Sequence, residues 1–299
     1  MMNISFDFSL FNNEYYFYER LLVLVIALAS TVVFSAYVLY TDRKNKEPLR
    51  GIIVCLLSGL LTIALSAYFE EVALYYIANE AILIYIWAAI EEFAKMAIFL
   101  LFIYDNIHYD DIYDSVVYMA LIALSFAGFE NIMYAFSEST VTDSIGLALM
   151  RDFTTIPLHV ICGIIIGYFL SLSNFSKKKS RKIINIIFAI VIPTIVHGTF
   201  NFTMTLLGNL DIDASSFLQL FLSQTLPILV FMIILFYLAI KFSRKTVVLN
   251  DAFINGYEYD KKYSYLMTKE EYYKSSGRLK RIKMHDKIKF YKFKEREVN

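Results

Sequence analysis

The sequence predicts an all-α, polytopic membrane bundle of about seven transmembrane helices. Two observations carry this. Of the 299 residues, 58% are hydrophobic and 19% charged, with a mean hydropathy of +0.53. A soluble domain carries about 25% charged residues. The apolar residues also fall in continuous runs of about 20 or more, the length that crosses a hydrocarbon core as a helix. The runs are 21–41, 49–69, 81–104, 113–137, 145–172, 183–207 and 217–241. Each is more than twice the length of a barrel strand. No 20–50-residue period and no inverted half-repeat is visible.

The same composition excludes other classes. Disorder needs low hydrophobicity and high net charge. Two cysteines, Cys55 and Cys162, are too few for a disulfide scaffold or a four-thiolate zinc site. A net charge of zero draws in no nucleic acid.

The first run follows Asp7, Glu14 and Glu19 with only Arg20 as a basic residue, so it reads as a span rather than a signal peptide. Orientation follows from the basic residues. All but three of the 28 (Arg20, Lys95 and Arg151) lie in 41–50, 173–182 and 241–299. With seven spans these segments share one side, which the positive-inside rule makes cytoplasmic, with the N-terminus outside. The acidic loop 105–112 (Asp105, Asp110, Asp111) is an exception on that side. The expected organisation is an external segment 1–20, a membrane domain 21–241 and a basic cytoplasmic tail 242–299. That tail reads as solvated and resting near anionic lipid.

The third run, IYIWAAIEEFAKMAIFLLF, holds Glu91, Glu92 and Lys95. Glu91 and Lys95 are four apart on one face, and Glu92 is three away. Each charge at mid-membrane costs at least ~2.5–3.5 kcal/mol on insertion scales, so several together imply a use. Two adjacent carboxylates beside one lysine suit acid/base work. A plain interhelical ion pair is the alternative.

In the fourth run Phe126 and Glu130 share a face, and Gly128 admits a neighbouring helix. In the fifth, Pro157 predicts a kink near His159, and Gly163 with Gly167 form a packing face. Arg151 is placed to pair with a carboxylate or reach the headgroups. In the sixth, His197 and Asn201 lie one turn apart, with Pro193 before them and Gly198 beside the histidine. Counted from the span ends, Glu91, Glu92, Glu130, His159, His197 and Asn201 fall in one layer, at or just outside the bilayer centre. Independent structural polar groups would scatter in depth.

These motifs resemble those of the PrsW family of intramembrane proteases, which is grouped with CAAX prenyl endopeptidases and Abi proteins. EExxK matches Glu91 to Lys95, FxxxE matches Phe126 to Glu130 within a GFEN run, and Arg151, Pro157 and His159 match the membrane histidine motif. The last motif reads His197 to Asn201, where many members carry aspartate; the asparagine is like the CAAX version. The segment DRKNKEP is also similar, and the resemblance covers about 38–205. It implies a glutamate-dependent or metal-dependent endopeptidase of the cell membrane. The implied substrate is a membrane protein of the anti-sigma-factor type, cut in the outer half of the bilayer.

In the implied roles, Glu91 or Glu92 activates water and Lys95 sets their charge. His159 and Glu130 orient that water or bind metal, and His197 and Asn201 stabilise the oxyanion. A divalent metal such as zinc stays open, with Glu130, His159 and His197 as candidate ligands; no HExxH motif is present. An ion-coupled transporter and a non-catalytic scaffold are the competing classes.

Overall fold

The computed structural model describes residues 16–42, 46–106, 108–208 and 226–275. The expected external residues 1–15, the basic residues Arg43 and Lys44, the first part of the seventh run (217–225) and the tail beyond 275 lie outside the described residues.

The helices run α1 (Phe17–Thr41), α2 (Leu49–Tyr76), α3 (Glu80–Phe102), α4 (Asp114–Ser137), α5 (Val141–Phe153), α6 (Thr155–Asn174), α7 (Lys179–Gly208), α8 (Leu226–Asn255), a 3₁₀ turn (Lys261–Tyr263) and α9 (Lys269–Ser275). No strand is present among the described residues; one isolated bridge joins Ser176 and Leu266. Among the described residues, five segments are long and apolar enough to cross a membrane: 17–41, 49–76, 114–137, 141–174 (α5 and α6 together) and 179–207.

Local chemistry sets several ends. Tyr16 N donates to Glu19 Oε2, the Asn79 side chain accepts from Ile82 N at 3.0 Å, and Thr140 Oγ1 accepts from Asp143 N at 3.1 Å. The fifth run differs from expectation: it is two helices rather than one kinked span. The break is at Thr154, which has φ −122° and ψ −67°. Pro157 therefore sits in the first turn of α6, where its missing N–H costs little.

Helices α4 and α6 form the centre, and α6 is almost wholly buried. Around α4 stand α1, α2, α3 and α5; α7 and α8 pack on α6, and α3 also meets α7. The α4–α6 contact depends on small residues, since a Cβ on Gly167 would lie 2.5 Å from Ser115 O and one on Gly163 would lie 2.8 Å from Met119 O. The outer helices turn large apolar side chains outward, among them Leu57, Leu61, Phe93, Ile187 and Ile233, as a lipid-facing surface requires.

The described parts of the three basic segments lie at one end of the bundle. Tyr113 Oη meets Thr41 Oγ1 at 3.1 Å and Ser243 Oγ at 3.2 Å. Asn250 Oδ1 accepts from Ile112 N at 2.8 Å, and Tyr272 stacks on Phe175 at 4.3 Å. The acidic loop belongs to the same end, and its carboxylates serve the backbone. Asp114 Oδ2 accepts from the amides of Asp110 and Asp111, and Asp111 Oδ1 accepts from those of Tyr113 and Asp114. Much of the tail up to residue 275 is packed rather than free. Tyr263, Leu266, Met267 and Tyr272 are buried, and Met267 N donates to Phe175 O at 2.6 Å.

Candidate active site

Four helices, α3, α4, α6 and α7, bring Glu91, Glu92, Lys95, Glu130, His159 and His197 together. On α3, one and a half turns present Glu91, Glu92 and Lys95 to the interior. Lys95 is fully buried, and its ammonium lies 2.8 Å from Glu92 Oε1, 2.9 Å from His159 Nδ1 and 3.6 Å from Glu91 Oε2. The Phe126 ring covers it at 4.3 Å, a cation–π contact strengthened by the burial of the lysine. Phe126 also meets the His159 ring edge-to-face at 5.2 Å. The phenylalanine of the FxxxE motif thus fixes both the lysine and the histidine.

Hydrogen-bond roles follow from the partners. An ammonium only donates, so His159 Nδ1 accepts and Nε2 carries the proton. That Nε2 faces Glu130 Oε2 at 3.2 Å. Arg151 Nη2 reaches the same oxygen at 2.6 Å, and its guanidinium lies over the Tyr134 ring at 4.2 Å. Of the two fates open to Arg151, it takes the carboxylate. His197 Nδ1 lies 2.8 Å from Glu92 Oε1 and 3.9 Å from Glu91 Oε2. The two imidazoles meet edge-to-face at 4.8 Å. Gly198 leaves its room to Tyr85 of α3: a Cβ there would lie 2.8 Å from the ring Cε1.

Glu91, Glu92, His159 and His197 each offer a ligand atom, and these atoms lie within 4.8 Å of one another in a buried position. Two carboxylate oxygens and two imidazole nitrogens are a donor set that suits a zinc-like cation. Glu91 Oε2 and Glu92 Oε2 are buried with no hydrogen-bond partner among the described residues, which also fits a cation. The Lys95 ammonium touches three of the same four groups, so an ion and the lysine compete for one position. The sequence-based candidates were Glu130, His159 and His197; the structure gathers Glu91 and Glu92 with the histidines and gives Glu130 to Arg151.

Asn201 stands one turn beyond His197 and is half-buried; its side chain makes no hydrogen bond to the cluster among the described residues. Other residues at the site escaped the sequence reading. Glu70, near the end of α2, interacts electrostatically with Glu130, Lys95 and Glu91. Its backbone carbonyl accepts from Trp87 Nε1 at 3.2 Å. Asn131 and Asp152 bond to each other beside Glu130 and Arg151. The available signal for Glu70 was the acidic pair Glu70-Glu71 closing an apolar run.

The family model described as PrsW family intramembrane metalloprotease matches residues 47–238, which include every residue of this cluster. The chain belongs to the PrsW family. It is similar to protease PrsW of Oceanobacillus iheyensis, 29% identical over 190 residues, 61% of this chain and 82% of that one. Protease PrsW of Bacillus subtilis is 32% identical over 120 residues, 40% of this chain and 52% of that one. Protease PrsW of Clostridioides difficile is 27% identical over 191 residues, covering 62% and 80%. No solved structure matches. Membership of the PrsW family makes this chain a membrane-embedded peptidase whose substrates are membrane proteins.

Proposed function

We propose that this PrsW-family peptidase cleaves a single-span substrate of the anti-sigma-factor type in the outer half of the cell membrane, with Glu91 as the base. In this reading α3 and α8 also cross the bilayer, and the end that gathers the basic segments faces the cytoplasm. One observation supports Glu91 most: Lys95 Nζ and His197 Nδ1 stand 3.6 and 3.9 Å from its buried Oε2, beyond hydrogen-bond distance, whereas both lie 2.8 Å from Glu92 Oε1. Glu92 is held by Lys95 and His197 together and has less freedom to exchange a proton.

Glu91 takes a proton from the attacking water and returns it to the leaving nitrogen. Lys95 balances the two carboxylates. His159, oriented by Lys95 on one nitrogen and Glu130 on the other, borders the space in which the water sits. His197, with Asn201 on its face of α7, faces the oxygen on which negative charge develops. Glu91, Glu92, His159 and His197 are the residues that would hold a divalent ion such as zinc. Such an ion would supply water activation and polarisation of the scissile carbonyl. A carboxylate has two oxygens, so Glu91 can engage a cation through one and a water proton through the other.

The test is purified protein in detergent or vesicles, incubated with single-span membrane peptides with and without chelator. The reading expects discrete cleavage within or beside the apolar segment. Absence of cleavage across a panel of such peptides, with metal supplied, contradicts it.

A further inference from the structure

Arg151 reaches Glu130 from α5, a short helix separated from α6 by the break at Thr154. Thirteen residues that end in a break do not fix an arginine to within a hydrogen bond by themselves. Something else docks α5. An apolar cluster of Val23, Ala27, Ala135 and Ala148 packs it on α1 and α4, and the polar contact within that junction is Asn131, fully buried and next to Glu130 on α4. Its Nδ2 lies 3.0 Å from Ala27 O on α1, 3.4 Å from Ala148 O on α5 and 3.3 Å from Asp152 Oδ1 on α5. All three partners are acceptors, so the amide nitrogen must face them, and the orientation of the amide is determined. Thus Asn131 and Asp152 tie α1, α4 and α5 at one point, and each is the chain neighbour of one member of the Glu130–Arg151 pair.

We propose that Asn131, with Asp152, is a positioning residue for hydrolysis: it docks α5 so that Arg151 holds Glu130 on His159. The inference rests on the peptidase reading above. Its physical sense is that Glu130 Oε2 receives both Arg151 and His159. If α5 drifts by an ångström, Glu130 loses the stronger bond and His159 loses its orienting partner. An aspartate in place of Asn131 would set a carboxylate against three acceptors, so the position calls for the amide.

The test is a double-mutant cycle of Asn131→Leu and Arg151→Ala, with cleavage scored per folded protein. Leucine has a similar volume, and Ala27 O and Ala148 O belong to helices already hydrogen-bonded along the chain. Asn131→Leu is expected to lower kcat at least tenfold with KM within twofold. The double variant is expected to match Arg151→Ala within twofold, because the effect of Asn131 passes through Arg151. In parallel, hydrogen exchange of residues 141–153 is expected to rise at least tenfold in Asn131→Leu, with α6 and α7 unchanged. This arm reads docking without any cleavage, so it stands apart from the outcome of the peptidase assay. Independent multiplication of the two losses, or exchange that rises evenly in all helices, overturns the proposal and leaves Asn131 as a packing residue. If Asn131→Leu does not fold, Asp152→Ala is carried through the same cycle under the same criteria.

Discussion

Lys95 and Glu92 occupy adjacent turns of one buried helix face, and the ammonium lies 2.8 Å from the carboxylate oxygen that His197 also reaches. A cation is thus already built into the centre of the site. It lies against three of the four groups that would hold a metal ion.

That overlap predicts how Lys95→Met behaves. Removing one partner of a buried pair costs about 3–5 kcal/mol, so the variant should melt well below wild type. Added zinc should then raise its melting temperature more than that of wild type, because the ion takes the vacated position. An equal zinc response in both proteins would show that lysine and ion do not share a place.

The α4–α6 contact should be the least tolerant part of the fold. Gly167→Val would place side-chain carbon against Ser115 O and Val116 Cα, both within 2.6 Å of a Cβ. Overpacking of this kind costs about 1–3 kcal/mol or more. Gly146→Val on α5 is the control, since nothing lies within 4 Å of a Cβ there. Folded yield in detergent should fall sharply for the first and remain near wild type for the second.

Stability should depend on pH through the segment between α1 and α2. Burial, followed by Glu47 and Asp111, pushes the Asp42 carboxyl from its ordinary 3.8 up to about 8. Glu47 is raised to about 7, chiefly by burial, against hydrogen bonds from Asp114 and Tyr118. Both folded values lie above the unfolded ones, so the fold favours the protonated forms. Their contribution is complete below about pH 4 and is lost as pH rises through 7 to 8. Melting temperature should therefore fall from pH 6 to pH 9, and Asp42→Asn should flatten that slope. An unchanged slope in the variant would remove Asp42 from the explanation.

Asn201 provides a separate test of the oxyanion role. Asn201→Ala should reduce cleavage by at least about tenfold, as loss of such a donor costs ~10²–10³ in rate at full strength. Asn201→Asp should retain partial activity. Loss of folded protein in step with activity would make the residue a packing group instead.

The site was legible where the sequence places charge or imidazole in apolar runs. Glu91, Glu92, Lys95, Glu130, His159 and His197 each carry a desolvation cost that an idle position would not bear, and the structure gathers all six. Arg151 was legible as a residue with two fates, and geometry decided between them. The division of α5 from α6 was signalled by the polar stretch Arg151-Asp152-Phe153-Thr154-Thr155 and by Pro157, but an apolar run of span length around them reads equally well as one kinked helix. Glu70 was hidden because α2 continues to Tyr76, past the end of its apolar run at 69. Asn131 was hidden for another reason. A neutral amide beside a glutamate carries little cost of its own, and its three acceptors come from segments 17 to 104 residues away. The packing of Tyr272 on Phe175 joins residues far apart in sequence, which no local periodicity encodes.

The most direct measurement compares Glu91→Gln with Glu92→Gln in cleavage of one single-span peptide, each scored against melting temperature. Glutamine keeps the size and hydrogen bonding of either side chain but cannot take a proton from water. The account predicts that Glu91→Gln loses at least about a hundredfold in rate, the scale of a lost general base, while melting near wild type. Glu92→Gln should lose activity and stability together, because Lys95 and His197 both depend on its charge. Cleavage by Glu91→Gln at near the wild-type rate would contradict the claim that Glu91, the more loosely held carboxylate of this cluster, is the base of the hydrolysis.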